Sequence, residues 1–108
     1  MQKKKLTELA RVIRSKNAGP FELTFDIIFK DAEIYERVKR SGVFSRELFA
    51  ELYRIPVDKV LLFCYFDQAY AIKATIARRT SSGTVGDSDV FGAQQHAPLL
   101  EVDIPWAE

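Results

Sequence analysis

Apolar and polar positions along this chain repeat with two different periods, and the changes of period mark its elements. Leu23 to Phe29, LTFDIIF, is rich in β-branched and aromatic residues and follows turn signals, which predicts a strand. Asp31 is a suitable N-cap, and Ile34, Tyr35 and Val38 recur at helical spacing until Gly42 supplies a stop, so a short helix is expected over Asp31 to Ser41. Ser45 restarts the pattern, and Leu48, Phe49, Leu52 and Tyr53 form a second stripe that ends before Pro56. Val60 to Phe66, VLLFCYF, is a continuous apolar run, whereas Tyr70 to Ala77 alternates. Together they predict a β-hairpin whose first strand is central and whose second is half-exposed.

The two ends are less determined by pattern. In LTELARVIR, Leu6, Leu9, Ala10 and Ile13 share a helical face, but the same stretch to Arg14 also suits a strand entering a turn. Thr80 to Asp89, TSSGTVGDSD, is loop-like, and a short helix around Ala93 to Leu100 has to tolerate Pro98 or begin there. The expected order is strand or helix, strand, two helices, hairpin, loop, short helix. That order suits a single-domain α+β two-layer sandwich, an antiparallel sheet with helices on one face.

Composition narrows the function. With 108 residues, 47% of them hydrophobic and 29% charged, the chain has the size and balance of one folding domain. A formal net charge of +1 provides no global field toward nucleic acid or an anionic membrane, so neither is expected as a partner. Lys3, Lys4 and Lys5 suit a solvated, flexible beginning over residues 1–5. Cys64 is the single cysteine, which allows no internal disulfide, and no run approaches the roughly 20 apolar residues of a membrane span; a cytoplasmic location is expected. No spacing calls for a metal or another cofactor.

Two stretches concentrate candidate chemistry. Arg14 to Glu22, RSKNAGPFE, reads as a turn in which Arg14 and Lys16 offer charge, Ser15 and Asn17 offer hydrogen bonds, and Gly19 permits close backbone approach. Such a turn suits an anionic group, or serves only to reverse the chain through unusual dihedrals at Asn17 and Gly19. Thr80 to His96 carries Asp87 and Asp89, Gln94 and Gln95, and His96, the sole histidine and the one side chain whose ordinary pKa lies near neutrality. His96 with Asp87 or Asp89 forms a candidate acid–base set; helix capping and ordinary packing are the structural alternatives. Asp26, inside LTFDIIF, must lie on an exposed face or pair with a base such as Arg14 or Lys16. Trp106 with Phe21, Phe44, Phe63, Tyr65 and Phe66 is more aromatic surface than one buried sheet face hides, so a partner interface is expected.

LTELARVIRSKNAGPFELTFDIIF and GDSDVFGAQQHAPLLEVDIP resemble a small family of about this length, once described only as a domain of unknown function, that accompanies AtuA-type acyclic terpene utilisation proteins. The resemblance covers nearly the whole chain. A more distant similarity is to the ferredoxin-like small domain at the C-terminus of AtuA-type proteins, which opens LAxxRSGDKG; Leu9, Ala10, Arg14, Ser15, Lys16 and Gly19 fit that outline, with Asn17 and Pro20 departing from it. What the resemblance implies is a ferredoxin-like domain of ββαββα order working beside an AtuA-type large subunit in catabolism of carboxylic acids or acyl-CoA-like compounds. Arg14, Ser15, Lys16, Asn17 and Gly19, with Gly86, Asp87, Asp89, Gln94, Gln95 and His96, are the positions it points to. A stand-alone homo-oligomeric enzyme and a purely structural assembly domain are the alternatives.

Overall fold

The structure, a computed structural model, describes residues 2–19, 21–77 and 97–106. Among these residues the fold is α+β with two antiparallel sheets. Strand β1 (Gln2–Lys5) leads into a single helical turn, α1 (Leu6–Leu9), then β2 (Ala10–Gly19) and β3 (Glu22–Phe29). Helices α2 (Ala32–Ser41) and α3 (Arg46–Tyr53) follow, then β4 (Val60–Phe66), β5 (Ala71–Ala77) and β6 (Asp103–Trp106). The larger sheet has the order β2-β3-β5-β4, and β1 pairs with β6 in a sheet of two. Both α2 and α3 lie between β3 and β4. Each of those strands is antiparallel to β5, so β3, the helices and β4 make a split βαβ unit with β5 inserted in its middle.

The helices form where their caps and stripes demand. The Asp31 side chain accepts a hydrogen bond from the Ile34 N–H at 2.9 Å, and Ser45 Oγ accepts from the Leu48 N–H at 3.1 Å, satisfying N–H groups that have no partner inside the helix. Gly42 ends α2 at φ 72°, a left-handed conformation that costs glycine nothing. Both apolar stripes lie on the sheet: Phe25 meets Phe49 and Tyr53 with ring centroids 5.5 and 4.9 Å apart, and Phe29 meets Tyr35 at 6.2 Å. Leu23, Phe25, Ile27 and Phe29 are buried, alternating along β3 and facing the helices. Burial of each such side chain contributes about 2–3 kcal/mol.

Several sequence expectations change here. Leu6 to Arg14 is both candidates in succession. Leu6 and Leu9 are buried one turn apart, the Lys5 N–H donates to Glu8 Oε2 at 2.8 Å, and the Leu6 N–H donates to the Val102 carbonyl at 3.0 Å; beyond Leu9 the chain is extended. Residues 1–5, expected to be flexible, form β1 from Gln2 to Lys5, with Lys5 opposite Asp103. The hairpin has its roles reversed: β5 is central and β4, the more apolar strand, is the edge. The crossover from β3 sets this, because it leaves between β3 and β4 a gap one strand wide that the returning β5 fills. Of the helix expected around Ala93 to Leu100, the described part is a 3-10 turn, Ala97–Glu101, that contains Pro98. Trp106 is buried, covered by the Arg37 guanidinium 3.9 Å from its ring centroid and by Lys4 Nζ at 5.4 Å.

Candidate functional site: the open face of the sheet

Arg14 to Gly19, read from sequence as most of a turn, belong to strand β2, whose last residue, Gly19, pairs with Glu22 at the start of β3. Gly19 takes φ 144°, where other residues are strained; Asn17 is not among the described residues with positive φ. Strand geometry divides the expected anion-binding set between two faces. Ser15 lies opposite Phe25 and Asn17 opposite Leu23, on the helix-covered side, with Ser15 buried. Arg14 lies opposite Asp26 and Lys16 opposite Thr24, on the other side. Sequence order had suggested that these four groups converge; the two-residue period of a strand separates them.

On the face away from the helices, one row of the ladder collects charge. Asp26 stands between Arg14 on β2 and Lys73 on β5, and Lys73 stands opposite Cys64 on β4. Arg14 Nε donates to Asp26 Oδ2 at 3.1 Å, and Lys73 Nζ lies 3.7 Å from Asp26 Oδ1. Asp26 is only 7% exposed, whereas the Arg14 side chain is 62% exposed. The carboxylate is therefore shielded by its neighbours, while the cations reach into solvent. A step toward the hairpin, the Thr24 and Thr75 hydroxyls hydrogen-bond at 3.2 Å, next to Lys16. Glu22 closes the face at the hairpin end, and Val12, Ile28, Leu62 and Phe66 supply apolar surface around the row. Lys73 Nζ also sits 5.3 Å from the Phe66 ring centroid.

Sequence left Asp26 either on an exposed face or paired with a base such as Arg14 or Lys16; the structure pairs it with Arg14, since the β2–β3 register sets those two opposite each other. Lys73 was missed, because its place beside Asp26 depends on the order β3-β5 and no local spacing encodes that. The other candidates, Asp87, Asp89, Gln94, Gln95 and His96, together with Gly86, lie outside the described residues.

A second polar cluster sits at the opposite end of the sheet, on the helix side. Tyr35 donates its hydroxyl proton to Asp67 Oδ1, and Lys39 Nζ donates to the same oxygen at 3.0 Å. Hydrogen bonds from Tyr35 and then Lys39 hold the Asp67 carboxyl below its usual range. Burial, then the bond to Asp67, push the Tyr35 phenol well above its ordinary value of 10.0. Burial likewise raises Tyr65, with Lys39 opposing, and Tyr65 Oη donates to the Phe44 carbonyl at 3.0 Å. A phenol so committed to its proton is a hydrogen-bond donor and a structural tie, not a base. Among the described residues no group of three or more His, Cys, Asp or Glu side chains is placed to hold a metal ion, and no helix is long and apolar enough to cross a membrane.

Residues 6–103 match the family described as a domain of unknown function, DUF4387. The chain belongs to that family. No curated protein and no solved structure matches it. In this DUF4387 member the match begins at α1 and ends at the first residue of β6, so it takes in the whole four-stranded sheet and both helices that cover it.

Proposed function

We propose that this chain is a small accessory subunit that completes an active site or substrate-binding surface of an AtuA-type catabolic protein acting on carboxylic acids or acyl-CoA-like compounds. The observation that carries the proposal is the open sheet face, where Arg14 and Lys73 flank Asp26 and Lys16 stands one step away, three cations against the carboxylates of Asp26 and Glu22. A flat face with a central cationic excess, threonine hydroxyls and an apolar surround suits contact with a larger protein and with an anionic group held between the two. Arg14 and Lys16, two residues apart on one strand, are placed to meet the same carboxylate or phosphate. The split βαβ unit with an extra edge strand supplied from the N-terminal side supports a permuted ferredoxin-like reading of the larger sheet; the β1–β6 pair is an addition to it.

Co-expression with an AtuA-type large subunit tests the proposal. Co-purification and turnover that requires both chains are expected, with Arg14→Ala/Lys16→Ala retaining assembly but raising KM for the anionic substrate. A large subunit fully active without this chain overturns it. Turnover by this chain alone would instead favour an independent enzyme using His96 with Asp87 or Asp89.

A further inference from the structure

The two edges of the larger sheet are built differently. On β2, Arg11, Arg14 and Lys16 place charge along the strand, and the register shifts twice, between Ala10 and Val12 and between Asn17 and Gly19. Charges and bulges of this kind keep an edge from pairing with another strand. On β4 the seven residues VLLFCYF include no lysine, arginine, aspartate, glutamate or proline, and the only register shift lies at the start, between Val60 and Leu62. Among the described residues, β4 has no strand neighbour but β5. Leu61 and Leu62 are 47% and 45% exposed, and Val57, just ahead of the strand, is exposed with them. A strand with the composition of a sheet interior therefore stands at a sheet edge.

The residues that bracket β4 indicate what pairs with it. Lys59 precedes the strand and is exposed; Asp67 follows it with a side chain 65% exposed. In an antiparallel pairing of two copies about a twofold axis at Phe63, Leu62 meets Cys64 of the other copy and Leu61 meets Tyr65; just beyond the ladder, in the 3-10 turns Val57–Lys59 and Asp67–Ala69 that bound β4, Lys59 comes to the same end as Asp67 of the other copy. Symmetry repeats each of these contacts. Every position in that register is apolar against apolar or opposite in charge, and no like charges meet.

We propose that β4 is a self-pairing edge, and that a second copy of this chain adds to it in antiparallel register centred on Phe63, joining two four-stranded sheets into one of eight strands. The open face carrying Arg14, Asp26 and Lys73 is left clear by this arrangement, so the dimer is independent of the accessory role. Main-chain hydrogen bonds supply most of the attachment, and the leucines and the Lys59–Asp67 contacts set the register.

Sedimentation equilibrium of the whole chain at micromolar concentrations, combined with zero-length carbodiimide cross-linking and mass spectrometry, tests this. Within one chain Lys59 and Asp67 lie at opposite ends of the strand, roughly 25 Å apart at ~3.3 Å per residue, so a direct link between them is intermolecular. The expected result is a dimer whose covalent form contains the Lys59–Asp67 link, with the Lys39–Asp67 link, 3.0 Å within the chain, as an internal control. Leu61→Lys/Leu62→Lys, at exposed positions, is expected to weaken the dimer about 100-fold with an unchanged near-ultraviolet circular dichroism spectrum; the estimate takes about tenfold per lysine. A second variant, Lys59→Glu, opposes two carboxylates at each end and is expected to abolish the link and weaken the dimer. A monomer at all concentrations overturns the proposal, and slow amide exchange along β4 in that monomer assigns the edge to a segment of the same chain. A dimer without the link and indifferent to both variants overturns it equally.

Discussion

Asp26 is the strongest test of how this sheet is held together. Its carboxylate is nearly buried, yet both partners, Arg14 at 3.1 Å and Lys73 at 3.7 Å, belong to side chains that reach solvent, 62% and 44% exposed. Each cation therefore gives a screened attraction of at most about 1 kcal/mol, and either single replacement by a neutral side chain that keeps the cover, Arg14→Met or Lys73→Met, is expected to cost about that much. Replacing both by Met leaves a covered carboxylate with neither cation, for which costs of about 3–5 kcal/mol are typical of breaking a buried pair; the open face places this site near the lower figure, about 3 kcal/mol. The double variant should thus lose more than the singles combined. Replacing Asp26 by Val in that background removes the stranded charge and suits a β-strand, so it should restore most of the loss. Urea denaturation of the five proteins at pH 7, with the slope m compared across the set, measures each quantity. Additive single effects, or a double variant with Asp26→Val no more stable than without it, would refute the view that Asp26 desolvation sets the size of the effect.

Two further outcomes follow from the packing. Tyr35 and Tyr53 both have folded pKa values above their ordinary 10.0, Tyr35 through burial and then Asp67, Tyr53 through burial alone, so their contribution is fully present below about pH 10 and is lost as pH rises through the folded values. Urea midpoints from pH 8 to 11 should fall from about pH 10, and Tyr35→Phe should flatten that fall; midpoints that stay level to pH 11, or fall equally in Tyr35→Phe, would contradict it. Gly42→Ala is expected to cost about 1 kcal/mol by thermal denaturation, and because an added Cβ would meet nothing within 4 Å, the loss isolates the φ of 72°. A neutral result would mean that the end of α2 relaxes to another conformation.

Local physics was enough for much of this fold. Side-chain spacing and caps placed α2 between Asp31 and Gly42 and α3 after Ser45, because a cap and a stripe act within four residues of one another. Density of β-branched and aromatic residues placed β3, and the cost of burying a carboxylate left Asp26 either exposed or beside a base such as Arg14 or Lys16, of which strand register selects Arg14. What local pattern misjudged was whichever feature depended on a distant neighbour. LTELARVIR satisfies two periods at once, and the buried contacts of Leu6 and Leu9, with the Leu6 bond to Val102 far along the chain, decide where one gives way to the other. RSKNAG carries the residues of a turn but pairs as a strand, because β3 supplies ladder partners opposite it and Gly19 alone takes the strained dihedral.

The sequence by itself determined the α+β class, the two capped helices and the strand around Asp26, since each follows from residues within a turn or a strand of one another. Tertiary structure decided that Arg14 and Lys16 face away from Ser15 and Asn17, that Lys73 joins them across the sheet, and that the most apolar strand stands at an edge. Strand order is a choice among pairings of comparable local energy, and only the crossover from β3 over the helices to β4, with β5 returning into the gap, selects the one that places these residues together.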